Sequence, residues 1–339
     1  MKYRRLGKTG INISEISFGC GSIGGLMVRG GHADQVRAVK HAVDCGINYF
    51  DTAANYGGGQ SETSLGLVLE ELKPDVFVGT KVSIPFEQSS DINGAIRRSL
   101  EGSLKRLRRD SIDLLQLHSP LAAVRARTER GDTVTAEDVL RSGGVADVFE
   151  QLRAERFFRF IGFTALGETN ELLKLVASGR FDTVQAYYNL VNPSAGKAVP
   201  ENFSAQDFGL LMDKARDNDM GILAIRTVAA GAMGGDRARQ GYAVPTVDLA
   251  LAGGADYALE IQRAAKIAFL AGADRTLPQA AVRFALDHSA VSSAVIGFSD
   301  VLQIDEAVAA SAKASLSPAE EQRLRALWDS DFEDQARRH

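Results

Sequence analysis

A closed barrel of eight parallel strands, each followed by helical sequence, is the fold this chain predicts, and three observations predict it. Eight short, mainly apolar runs recur along 339 residues; helical periodicity separates them; and no Ser- or Pro-rich linker divides the chain. Apolar strands separated by helices imply parallel pairing with both faces covered. Eight such units in one undivided chain make a (β/α)₈, or TIM, barrel. Length alone fits two average domains or one large barrel, and the count of units decides against an open doubly wound sheet. Residues 1–339 are therefore expected to form one domain.

Two alternating runs, 3–6 and 11–13, flank Gly7-Lys8-Thr9-Gly10 and predict an N-terminal β-hairpin. A strand over 15–19 follows. Gly19, Gly21 and Gly24 then spell G-x-G-x-x-G after a strand, the dinucleotide fingerprint. That fingerprint needs a helix opening on its last glycine, because the pyrophosphate rests on the helix N-terminus. Here helical periodicity begins only near Asp34, so the doubly wound nucleotide fold is set aside.

Val36, Val39, Ala42 and Val43 mark a first helix stopped by Gly46, and a strand over 47–51 follows. The next helix, 60–72, carries Leu65, Val68, Leu69 and Leu72 on one face, and leads to a strand over 76–81. Ile92, Ile96, Leu100, Leu104 and Leu107 define a third helix whose last turns hold Lys105, Arg106, Arg108 and Arg109. Basic residues there complement the helix dipole. A strand over 112–118 comes next, and then a polar segment, 122–144, reads as a loop or lid inserted at the barrel mouth.

The alternation resumes with helix 145–155, strand 158–164, helix 169–178, strand 183–188, helix 205–218 and strand 221–227. A second excursion, 233–257, precedes two helices, the later opening at Thr276 with proline in its first turn. Strand 293–297, helix 301–312 and a helix opening at Ser317-Pro318 complete the chain.

Composition narrows the function. Apolar content of 45% and charged content of 24% are those of an ordinary globular protein with a substantial core. A net charge of −4, with acids and bases interspersed, gives no reason to expect a nucleic-acid or anionic-membrane partner. The N-terminus lacks the apolar core of a signal peptide. The most apolar region, 249–273, is broken by Asp256, Glu260, Arg263 and Lys266 and reads as an amphipathic helix rather than a membrane span. Cys20 and Cys45 are too few for a disulfide framework and suggest no metal cluster, which fits a reducing cytoplasm.

A barrel gathers the C-terminal ends of all its strands at one mouth. Asp51 ends the second barrel strand, Tyr56 follows in its loop, Lys81 ends the third and His118 the fourth. Singly, each has an ordinary structural reading: a turn aspartate, a packed tyrosine, a surface lysine, a rim histidine. Together on neighbouring strands they are harder to dismiss, because buried charge is costly without a use or a partner.

These residues carry a resemblance. Phe50-Asp51-Thr52-Ala53-Ala54-Asn55-Tyr56-Gly57 with Ser61-Glu62, then Gly79-Thr80-Lys81, then Leu114 through His118, then Val295-Ile296-Gly297-Phe298-Ser299 with Gln303, together resemble the aldo-keto reductase family. The resemblance spans nearly the whole chain, including the hairpin, which in that family plugs the bottom of the barrel. It implies that Tyr56 is the general acid protonating a carbonyl oxygen as hydride arrives from a nicotinamide. Bringing a free phenol from near 10 toward neutrality takes roughly 4 kcal/mol of preferential stabilisation of phenolate, and a nearby ammonium supplies much of that. Lys81 would be that ammonium, Asp51 would hold and aim it, and His118 would orient the carbonyl.

The same resemblance implies an NADP(H) or NAD(H) cofactor, a small carbonyl or alcohol substrate and no metal. Thr164 and Gln185 match the groups that hold the nicotinamide carboxamide, although Ala165 stands where asparagine is common. Ile225 replaces the usual stacking aromatic, and Arg226 beside it would reach the pyrophosphate, the substrate or a rim acid. Gly19, Cys20 and Glu306 also fall at cofactor positions. Gly297, Phe298, Ser299 and Gln303 match the loop gripping the adenosine end, where backbone donors and a helix terminus favour anions. NADP-specific members place Lys or Arg there; this chain has Asp300, so NAD is expected to be accepted as well as or better than NADP. Two readings of other classes stand beside this one: a Schiff-base aldolase acting through Lys81, and a non-catalytic dinucleotide-binding barrel.

Overall fold

The computed structural model describes residues 1–128, 131–234, 241–243 and 257–332. The chain opens with an antiparallel hairpin, β1 (Tyr3–Arg5) and β2 (Asn12–Ser14), in which Tyr3 faces Ser14. Eight further strands follow: β3 (Ile16–Gly19), β4 (Tyr49–Asp51), β5 (Phe77–Val82), β6 (Ile112–Leu117), β7 (Phe158–Thr164), β8 (Thr183–Tyr187), β9 (Gly221–Ile225) and β10 (Val291–Gly297). They close into a barrel in chain order, β10 pairing β3, and every neighbouring pair is parallel.

Helices α1 (Leu26–Arg29), α2 (His32–Asp44), α3 (Gln60–Leu72), α4 (Ile92–Leu107), α5 (Ala136–Leu140), α6 (Val145–Ala154), α7 (Thr169–Ala177) and α8 (Leu211–Asp217) belong to the first six units. The later helices are α9 (Tyr257–Lys266), α10 (Leu277–Asp287), α11 (Leu302–Ala310) and α12 (Pro318–Asp329). Their apolar faces pack on the outside of the barrel: Phe18, Phe50, Phe149, Phe163 and Phe181 lie in that layer with essentially no exposure.

Inside, the bottom of the barrel is closed by a separate cluster: Leu6 and Ile13 from the hairpin meet Tyr49, Leu114, Leu223 and Val295 from the strands. The hairpin is thus the plug that the sequence led one to expect. It leaves the C-terminal mouth as the open end.

Four expectations need correction. Helix 205–218 starts only at Leu211, because the Asn192 amide donates to the Gln206 carbonyl and the Ser194 hydroxyl accepts from Phe208 N–H, drawing 206–208 into a loop. The segment 122–144 contains α5, opened by a reciprocal cap between Thr135 and Asp138. Helical structure after the glycine-rich stretch begins with α1, and α2 starts at His32 rather than Asp34. The amphipathic helix expected over 249–273 is described from Tyr257 to Lys266, with residues 249–256 and most of the 233–257 excursion outside the described residues. Among the described residues no helix is long and apolar enough to cross a membrane.

Candidate active site

Parallel register fixes which side chains meet at the mouth. Asp51 ends β4 opposite Gly79 of β5, and Lys81 of β5 lies opposite Gln116 of β6. Lys81 is followed by one more strand residue, Val82, and His118 stands one residue beyond β6, its N–H still bonded to the Val82 carbonyl at 2.8 Å. Tyr56 opens a tight turn of glycines after β4. Gly57 there has φ 60°, and a Cβ on it would lie 2.4 Å from Val28, so only glycine brings the chain round at this point.

The four side chains converge. The Lys81 ammonium, 1% exposed, donates to Asp51 Oδ2 at 2.5 Å, to the Thr52 carbonyl at 2.7 Å and to the Tyr56 hydroxyl at 3.3 Å. It also sits 4.8 Å from the centre of the Tyr56 ring. The His118 ring meets that ring edge-on, centroids 5.7 Å apart and planes at 84°. A buried ion pair survives only when its remaining lone pairs are satisfied. Gln185 and Gln116 meet this need by donating to Asp51 Oδ1 at 2.6 and 3.2 Å.

Charge states follow from these surroundings. Burial works against the Lys81 ammonium, but the Asp51 carboxylate, Tyr56 and the hydrogen bonds to both outweigh it, and its pKa ends above the ordinary lysine value. A lysine so held is a charged hydrogen-bond donor. Schiff-base chemistry needs a free neutral amine, so the geometry does not favour an aldolase. Burial, aided by the charge on Lys81, pushes the His118 imidazole down to about 3, so it is neutral at physiological pH.

A cavity of ≈ 2190 Å³ opens above these groups. Thr164, Gln185, Ile225 and Arg226 line its wall, as do Gly19, Gly297, Ser299, Gln303 and Glu306. Two residues expected at the cofactor point elsewhere. Phe298 is 1% exposed and packs edge-on against Phe18, and the Cys20 thiol turns toward the Phe18 carbonyl at 3.9 Å, where burial pushes it up and leaves it unreactive. Both alternate with cavity-facing neighbours, and the pleat sends them into the outer core. Gln185 lines the cavity, but its amide N–H is committed to Asp51.

Other features escaped the sequence reading. Gln116 lies two residues before His118, so period-two alternation on that strand was a usable signal. The Tyr187 hydroxyl donates to the Glu260 carboxylate at 2.5 Å across the second excursion, and nothing local pairs them. Gly24 leaves room for the chain: a Cβ there would lie 2.6 Å from Phe298 N. Cys45, read as no part of a metal cluster, lies 3.7 Å from His41 Nε2, which itself bonds Asp305 at 2.7 Å, so three metal-ligating atom types meet on the surface between α2 and α11.

Comparison with known proteins bears on the family and the fold. The chain is 26% identical over 320 residues to L-galactose dehydrogenase of Arabidopsis thaliana, covering 91% of this chain and 88% of that one. It superposes on an aldo-keto reductase of Bacillus halodurans in its holo form with a TM-score of 0.72 at 22% identity, covering 99% of each chain. The glycerol dehydrogenase of Gluconobacter oxydans gives 0.70 at 23% identity, covering 96% of this chain and 94% of that one. The profile of the Aldo/keto reductase family matches residues 15–329, so the chain, with its closed barrel and its plugged floor, belongs to that family of oxidoreductases.

Proposed function

We propose that this protein interconverts a carbonyl and an alcohol with NAD(H) or NADP(H), with Tyr56 passing the proton. The observation that carries this reading is the Lys81 ammonium held between the Asp51 carboxylate at 2.5 Å and the Tyr56 hydroxyl at 3.3 Å. When bound, the nicotinamide supplies or accepts the hydride. The residues present fit such a group. Thr164 Oγ1 is buried in the cavity wall with no hydrogen-bond partner, as a hydroxyl awaiting a carboxamide would be, and Gly24, Gly297, Ser299 and Gln303 line the same cavity.

The remaining chemistry belongs to the chain. In the reducing direction the Tyr56 O–H donates to the carbonyl oxygen. Negative charge growing on the phenol oxygen faces the Lys81 ammonium, which Asp51, Gln116 and Gln185 hold rigid, so little reorganisation accompanies the step. A neutral His118 offers a ring N–H that orients the same carbonyl without adding a positive charge next to the Tyr56 ring. In the oxidising direction the same groups act in reverse.

Tyr56→Phe removes the proton and keeps the ring. Turnover is expected to fall by roughly 100- to 10,000-fold, with nicotinamide affinity little changed, as read by cofactor absorbance and fluorescence titration. A variant retaining the wild-type rate would take Tyr56 out of the mechanism.

The adenosine end bears on cofactor choice. Ser299 N–H and hydroxyl both donate to Gln303 Oε1, and Asp300 accepts from Leu302 N–H. Arg275, on the same cavity wall, is already taken by Glu320 and by the Leu270 carbonyl. Among the described residues no free cation awaits a 2′-phosphate there. NAD(H) is therefore expected to bind at least as tightly as NADP(H) in a fluorescence titration, and a preference for NADP(H) of about tenfold or more would overturn this.

A further inference from the structure

We propose that Arg226 anchors an anionic group of the substrate, a carboxylate or phosphate carried a few atoms from the reacting carbonyl. The inference rests on the carbonyl–alcohol reading above and names the substrate class for the same cavity.

The backbone shows that the position is built. Strand β9 ends at Ile225, and Arg226 turns into the left-handed region at φ 59°. A non-glycine residue is strained there and persists when its surroundings over-determine it. Here the Asn189 amide and the Ala229 N–H both donate to the Arg226 carbonyl, at 3.0 and 2.8 Å. The turn directs the guanidinium into the cavity wall rather than out to solvent.

The side chain then lacks what other buried arginines of this protein have. Arg263 pairs with Asp331 at 2.7 Å, and Arg283 with Asp287 at 2.8 Å. Arg226 Nη1 is buried with no hydrogen-bond partner. Glu260, whose charge acts on the guanidinium, gives one oxygen to Tyr187 and leaves the other buried and unbonded, so no hydrogen bond joins it to Arg226. A guanidinium stays charged in proteins, and a buried donor left unmet costs free energy until something bonds it. An anion entering the cavity is that partner.

Position selects which anion. Arg226 lines the same cavity as Tyr56 and His118, so the guanidinium and those groups face one space. The planar fork matches a carboxylate or phosphate in two-point contact. The anion is a spectator in the reaction: hydride goes to the carbonyl carbon, the Tyr56 proton goes to its oxygen, and the carboxylate stays bound and unchanged.

The test compares 4-oxobutanoate with butanal, which differ by one carboxylate, in wild type, Arg226→Gln and Arg226→Lys. The readout is the ratio of kcat/KM for the anionic over the neutral aldehyde. Any influence of Arg226 on Tyr56 acts on both substrates and cancels. The ratio is expected to fall by roughly 10- to 100-fold in Arg226→Gln, as for a lost charge-assisted hydrogen bond, and by less in Arg226→Lys, which keeps a point charge. An unchanged ratio overturns the proposal, including the case where Arg226→Gln weakens cofactor binding instead, which would assign the guanidinium to the pyrophosphate. If wild type reduces neither aldehyde, the carbonyl–alcohol reading fails. Binding of succinate to the cofactor-loaded protein, by calorimetry, then decides the Arg226 proposal alone: binding lost in Arg226→Gln supports it, and equal binding or none in wild type overturns it.

Discussion

His118 stays neutral near a charged Lys81, and the ammonium helps to set the state of the imidazole. The ammonium is locked by Asp51, and its field, added to burial, denies the imidazole a proton down to about 3. The stability consequence has a definite sign. Between pH 6.5 and 3 the unfolded chain carries a proton on this histidine and the folded chain does not, so acidification through that window favours unfolding; above 6.5 the contribution is present in full. Its ceiling is about 5 kcal/mol, and the true value is smaller because the half-buried ring faces water in the cavity. His118→Asn is therefore expected to lose stability less steeply than wild type when denaturant midpoints at pH 7.5, 5.5 and 4.5 are compared. Parallel acid limbs would mean that the imidazole protonates freely in the folded protein. At this scale the sequence supplied the identities of Asp51, Tyr56, Lys81 and His118. It did not supply Gln116 as a support for Asp51, since alternation puts this glutamine on the His118 face without naming its partner across the barrel.

At the level of elements, the hairpin and the glycine turn do different work at opposite ends of the barrel. The hairpin fills the floor. Leu6 is fully buried there, close enough to β9 that a Cβ on Gly221 would lie 2.5 Å from its Cδ1. Leu6→Ala is expected to cost about 2–5 kcal/mol, the range for a buried leucine truncation, as a lowered denaturant midpoint. It should leave kcat/KM near wild type, because Asp51, Tyr56, Lys81 and His118 sit at the opposite mouth; a large activity loss in the folded variant would show the floor and the mouth to be coupled. Barrel strands were legible because apolar runs and helical periodicity are local signals. The start of α8 was not, because side chains of Asn192 and Ser194, on the preceding loop, intercept the backbone groups of 206–208.

For the molecule as a whole, barrel closure makes distant residues neighbours. Asp51 receives hydrogen bonds from Gln116, 65 residues on, and from Gln185, 134 residues on. The same closure brings Glu260, beyond the second excursion, onto Tyr187 and into the field of Arg226. A cavity assembled from so many strand ends can be retuned residue by residue while the frame persists, which is how the barrel accommodates Arg226 in the same cavity as Tyr56.

The sequence by itself determined the barrel, its N-terminal hairpin and the four polar groups at its mouth, because strand count, periodicity and strand-end chemistry are written locally. The tertiary structure alone decided which buried donors are matched and which are left open: Asp51 fully met, Arg226 unmet. Hydrogen-bond satisfaction is a property of what lies across the cavity, and the chain order does not encode it.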